Sequence, residues 1–190
     1  MKSLLLLVTV SVVLCSCSSL YYGYLPGTDY KMLEPREKID LQGRSFNIEF
    51  RDSRGGRDRI DCSGFPLDRN NELEGELGMR YLQEYVKVMI ERSNGKIDPA
   101  SPNRIVVEVE GLSFNLVGAG YAVVHGFVQF KAESARFGKT YCSAMNDNDQ
   151  DSPMKWYSLT TRRSASRMMV SGSVRRGEEE FVKDLAAGKY

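Results

Sequence analysis

The sequence predicts an α+β fold: an antiparallel or mixed sheet of four to five strands with two main helices packed on one face. Three observations predict it. Short stretches with period-two alternation recur before and after one long stretch with helical periodicity. The last thirty or so residues read as a second helix. The order of elements (strand, helix, several strands, helix) suits helices segregated to one side of a sheet.

Ser45 to Arg51 alternates Phe46, Ile48 and Phe50 with polar residues and reads as a half-buried strand. Gly55-Gly56 is a strong turn signal, and Ile60 to Ser63 reads as a short returning strand carrying Cys62. Glu72 to Arg92 reads as the first long helix. Leu73, Leu77, Tyr81, Leu82, Tyr85, Val86, Val88, Met89 and Ile90 form its broad apolar face. Gly75 and Gly78 weaken its start, and Ser93-Asn94-Gly95 stops it. Arg104 to Glu110 and Tyr121 to Glu133 read as strands. Phe137-Gly138-Lys139 turns the chain into a further strand, Thr140 to Ala144, carrying Cys142. Asn146 to Pro153 is a polar loop. Leu159 to Ala187 reads as helical, with Ser171-Gly172-Ser173 as a dividing point.

The first residues are of another kind. Lys2 precedes an apolar run from Leu4 to Leu14, broken by Thr9 and Ser11. The run is shorter than the ~20 residues of a membrane-spanning helix and fits an export signal. Leu14-Cys15-Ser16-Cys17 resembles the lipobox of bacterial lipoproteins: an aliphatic residue, a spacer, a small residue, then Cys. The frame ending at Cys15 would put bulky Leu14 where a small residue is needed. The resemblance implies cleavage before Cys17 and acylation of Cys17, including an N-linked chain of the palmitate kind. Two or more acyl chains anchor stably where one anchors only marginally. Residues 1–16 are then the signal peptide, 17–44 the acylated cysteine and a flexible tether, and 45–190 a single periplasmic α+β domain. Ser18, where an Asp would resemble an inner-membrane retention signal, points to the outer membrane, facing the periplasm.

Composition excludes some classes of function. The full chain has 26 Lys and Arg against 25 Asp and Glu, and Lys2 is the one charge in the signal. The mature chain is therefore neutral, without the basic excess of a nucleic-acid binder. Cys62 and Cys142 are the pair left after Cys15 is removed and Cys17 acylated, and in an oxidising periplasm such a pair reads as a disulfide.

Candidate chemistry is sparse. Asp147, Asp149 and Asp151 alternate like the start of a calcium loop, but Ser152 stands where Gly belongs and Ser158 where the bidentate Glu belongs. A solvated acidic loop is expected there. His125 is the one histidine, with no nucleophile motif around it. Gly118-Ala119-Gly120 lacks the residues of a phosphate loop. Arg162, Arg163, Arg167, Arg175 and Arg176, followed by Glu178, Glu179 and Glu180, read as a solvated helix face. Arg51, Arg54, Arg57 and Arg59 form a second basic cluster. No metal, cofactor or catalytic residue is expected.

Over Ser45 to Ala187 the element order resembles small periplasmic lipoproteins that serve as accessory subunits of envelope machines, such as lipid-transport or outer-membrane assembly systems. This resemblance implies a non-enzymatic adaptor or binding subunit with an envelope protein as partner. Outward-facing positions of the long strand, Tyr121, Val123 and Phe127, are the expected contact surface. The alternatives are a structural lipoprotein touching peptidoglycan or itself, and a cell-wall-sugar hydrolase with dispersed carboxylates.

Overall fold

The structure, a computed structural model, describes residues 28, 30–54, 72–73, 75–117, 123–153 and 162–190. Its elements are β1 (Ser45–Asp52), β2 (Glu72–Leu73), α1 (Glu76–Arg92), β3 (Lys96–Ile97), β4 (Arg104–Val117), β5 (Val123–Glu133), β6 (Gly138–Asn146) and α2 (Arg162–Ala186). The sheet is mixed, in the order β3-β1-β4-β5-β6. β1 runs parallel to both neighbours, with Phe46 opposite Ile97 and Ile48 opposite Ile105. β4, β5 and β6 are antiparallel. The predicted α+β class is the observed one.

β4 is the backbone of the sheet. Its first half pairs with β1, and its second half takes β2, Leu73 opposite Ser113. The sequence reading stopped this strand at Glu110. It continues for seven residues because a bulge at Glu110, between the pairs Val109–Phe130 and Gly111–Gln129, takes up one extra residue and restores pairing with β5 beyond it.

α1 begins at Glu76 and not at Glu72. Glu72 and Leu73 are extended along β4, and Gly75, in extended conformation, is the N-cap with no side-chain cap. Glu76 in the first turn and Arg92 in the last complement the helix dipole. Its buried stripe of Met79, Leu82, Tyr85, Val86, Met89 and Ile90 repeats at three and four residues. This stripe meets Phe46, Ile105, Val107 and Val109 from the sheet in one core with Val174, Phe181 and Val182 of α2.

α2 is unbroken over 25 residues. Ser171 and Ser173 do not divide it, because their hydroxyls donate back to the carbonyls of Arg167 and Met169 at 2.7 and 3.2 Å. Gly172 lets α2 lie close to β6: a Cβ there would displace the Met145 thioether.

The chain before β1 is also packed, which corrects the expectation of a flexible tether as far as residue 44. Tyr30 and Leu41 are fully buried and Met32 nearly so. Tyr81 and Tyr85 donate from α1 to the carbonyls of Lys31 and Leu33, each at 2.8 Å. The Lys31 N–H donates to Ser171 Oγ on α2 at 3.0 Å. The Tyr30 ring stacks on Tyr81 at 4.7 Å. Residues 30–41 therefore form a strap tied to both helices. No helix among the described residues is long and apolar enough to cross a membrane.

Candidate functional site

Two polar constellations stand out, one on each side of the molecule's core. The first ties the strap and the β6–α2 loop to α2. Arg176 donates to Asp149 Oδ2 at 2.8 Å, to Asp151 Oδ2 at 3.0 Å and to the Ala144 carbonyl at 2.9 Å, and also pairs with Asp151 Oδ1. Arg175 adds two bonds to Asp151, and Arg36 reaches it at 3.1 Å from the strap. The hydrogen bond from Arg176 is the main reason that the Asp151 carboxyl is held down to about 2. Asp149 and Asp151 are thus not a solvated acidic loop: their oxygens are consumed by arginines. Nor is the Arg–Glu run of α2 a solvated face. Arg175 is buried, and Glu178 and Glu179 are fully buried. Glu179 is paired with Arg36. Among the described residues Glu178 has no hydrogen-bond partner on either oxygen, and burial pushes its carboxyl well above the usual range.

The second constellation is a groove of about 630 Å³ where the start of β4 meets the end of β5. It is lined by Arg51 on β1, Arg104 and Val106 on β4, Glu133 on β5, Arg136 in the β5–β6 turn, and Tyr190. Alternation explains the placement. Phe46, Ile48 and Phe50 point into the core, so Glu49 and Arg51 point to the opposite face. Ile105 and Val107 send Arg104 and Val106 the same way. Glu49 lies between two guanidiniums, accepting from Arg51 on Oε1 at 2.8 Å and from Arg104 on Oε2 at 2.6 Å. Glu133 is held by Lys131. The Arg136 guanidinium has no ion pair or hydrogen bond among the described residues. Sequence reading placed Arg51 in a basic cluster but missed Arg104 and Arg136. Each is solitary in its own stretch, and only the sheet register brings the three together.

The residues singled out from sequence are distributed as follows. Cys17, Cys62 and Tyr121 lie outside the described residues, and so does the side chain of Val123. Cys142 is half-buried on β6, its sulfur 3.5 Å from Gln129 Oε1. His125 is half-buried on β5; burial lowers its pKa against the raising effect of Asp147 and Asp149. Phe127 is corrected as an exposed contact residue: it is 1% exposed. It does face away from the core side of β5, as alternation requires, but that side is not solvated at this end of the sheet. Ser113, Gln129 and Glu110 beside it are buried too, and Gln129 donates to Glu110 at 2.5 Å. No group of three or more metal-ligating side chains occurs among the described residues.

No family model and no curated protein matches the chain. Among solved structures, it is similar to a minor lipoprotein from Acinetobacter baumannii, at 10% identity and a TM-score of 0.40, over 79% of this chain and 94% of that one. It is similar to a Xanthomonas campestris protein of the DUF330 family, at 16% identity and a TM-score of 0.47, over 87% and 90%. A third likeness is to rare lipoprotein B from Shewanella oneidensis, at 13% identity and a TM-score of 0.35, over 75% and 92%. At such identities and scores these likenesses carry nothing about activity or partners.

Proposed function

We propose that this chain is a lipid-anchored envelope protein, held by Cys17 at the outer membrane and facing the periplasm, that acts by binding and not by catalysis. The observation that carries the anchor is Leu14-Cys15-Ser16-Cys17 behind a short apolar run. The packed strap adds a distance to it. Only residues 18–29 separate Cys17 from Tyr30, and twelve residues span at most about 40 Å. A domain on so short a leash meets only what comes to the membrane surface, which suits an adaptor or binding subunit. Four carboxylates support the same reading: Asp149, Asp151, Glu179 and Asp184 are each engaged by arginine or lysine. A hydrolase would need a facing acid and base free to exchange protons. A Cys62–Cys142 disulfide is part of the proposal. Of the contact positions expected on the long strand, Tyr121 and Val123 are kept and Phe127 is withdrawn.

The test has three arms. Cys17→Ser should accumulate as unprocessed precursor without acyl chains by mass spectrometry; acyl chains on that variant would overturn the anchor. Crosslinking of the acylated protein in membranes should recover one envelope protein in stoichiometric yield. A turnover-dependent product from wall sugars with purified protein would overturn the non-enzymatic reading.

A further inference from the structure

We propose that the groove between Arg51, Arg104 and Arg136 binds a phosphate-class anion; this rests on the reading that the chain acts by binding. Guanidinium groups are planar forks that match phosphate oxygens in pairs, and convergence of several on one concavity is the usual way a protein holds such an anion. Here they come from three separate elements: a strand end, a strand start and a turn. Glu49 spans two of them, with one oxygen to each, so it fixes Arg51 and Arg104 side by side while neutralising only one. It thereby leaves guanidinium N–H groups of Arg104 open to the groove. Arg136 brings a third guanidinium that no carboxylate among the described residues neutralises. Among the lining side chains the one carboxylate, Glu133, is taken by Lys131.

The dimensions suit a small ligand. At about 630 Å³ the groove has the volume of a small-molecule site. The neutral mature chain lacks the extended basic surface that a nucleic acid tracks. Val106 adds an apolar wall beside the charges. The ligand that fits is therefore a compact phosphate carrying a short organic stem. That chemistry has two sources, a soluble phosphomonoester or the headgroup of an anionic phospholipid.

The experiment uses the acylated full chain in phosphatidylcholine nanodiscs. Inorganic phosphate and glycerol phosphate are titrated calorimetrically, and vesicles with and without phosphatidic acid are tested by co-flotation. Arg104→Ala and Arg136→Ala should each weaken binding at least tenfold, with Arg136→Lys intermediate. Arg80→Ala, on the exposed side of α1, should leave it unchanged. Circular dichroism checks that the variants fold; Arg136 is the decisive one, because its side chain supports nothing else. Saturable binding of glycerol phosphate assigns a soluble ligand, and binding confined to phosphatidic acid vesicles assigns a headgroup. Absence of saturable binding to all three probes, or equal weakening by Arg80→Ala, overturns the site. That failure leaves the anchor standing, whereas an unacylated Cys17 would overturn the anchor and leave the groove assignment untouched.

Discussion

Arg36 binds both oxygens of the Glu179 carboxylate, its backbone N–H donating to Oε1 at 2.5 Å and its Nε to Oε2 at 2.6 Å. The Glu179 side chain is 1% exposed, while that of Arg36 is 42% exposed. The strap thus supplies the counter-charge for a carboxylate that α2 buries. A buried charge is tolerated only when paired and hydrogen-bonded, so strap and helix are energetically coupled.

Removing the latch should show this coupling. Arg36→Ala leaves Glu179 buried with one backbone donor and should cost about 2 kcal/mol. In a Glu179→Gln background the same change should cost less than about 1 kcal/mol, because no buried charge is then stranded. Urea denaturation of the four proteins in the cycle measures both. Equal costs in the two backgrounds would mean that the strap is held by its tyrosine contacts alone.

Gly126 on β5 and Met169 on α2 are in backbone contact. A Cβ on Gly126 would lie 2.2 Å from the Met169 carbonyl carbon and 2.3 Å from its oxygen. No rotamer change relieves a clash with main chain, so Gly126→Ala should destabilise by about 3 kcal/mol or more, a severe case of overpacking. Gly138→Ala is the comparison, since its Cβ would meet nothing nearer than 3.7 Å. Its effect should stay within about 1 kcal/mol. Thermal unfolding decides, and similar melting temperatures for the two would show that α2 can lift from the sheet at little cost.

These contacts also mark where sequence reading stops. Element types and the fold class were legible because alternation and helical periodicity are local. The extension of β4 past Gly111 was not, because the irregularity that rescues it depends on β5 across the ladder. The strap reads as unpatterned, and its burial comes from Tyr81, Tyr85 and Ser171, far away in the chain. Glu178-Glu179-Glu180 looks like a solvated run, yet α2 is covered on several sides and buries the first two. For the groove, Arg51 alone was in a recognised cluster; Arg104 and Arg136 have no local signature.

The proposed Cys62–Cys142 bridge closes a loop of about 80 residues and should contribute roughly 4 kcal/mol in the chain-entropy view. Protein purified without reductant should show no free thiol at Cys142 by alkylation and mass spectrometry. Cys62→Ser, Cys142→Ser and the double variant should then lose the same stability. Full alkylation of Cys142 before reduction would dispose of the bridge.

Glu178 sets a pH dependence opposite in sign to that of Asp151 and Asp184. Hydrogen bonding from Arg176 holds Asp151 at about 2. Asp184 is also held at about 2: burial, the largest effect, would raise it, but hydrogen bonds from Lys139, Lys189 and Tyr141 outweigh burial. Their folded values lie below the unfolded ones, so their stabilisation is complete above about 4 and is lost as pH falls toward 2. For Glu178 the folded value is raised by burial. Its native state keeps a proton that the unfolded chain gives up near 4.3, so stability is full below that pH and declines as pH rises through the folded value. The decline is at most about 1.4 kcal/mol per pH unit. Tyr81 and Tyr85 on α1 and Tyr190 lie close enough for the Glu178 charge to push their hydroxyls upward, in the same direction as burial does. Glu178→Gln keeps the shape and removes the titration. Its amide brings a constant cost or gain, so the slope is the quantity to read and not the level. The difference in melting temperature between Glu178→Gln and wild type should be flat below about pH 4 and should grow in favour of the variant from pH 5 upward. Parallel curves for the two proteins from pH 4 to 8 would show that the Glu178 carboxyl finds water or a partner in solution and carries its charge at no cost.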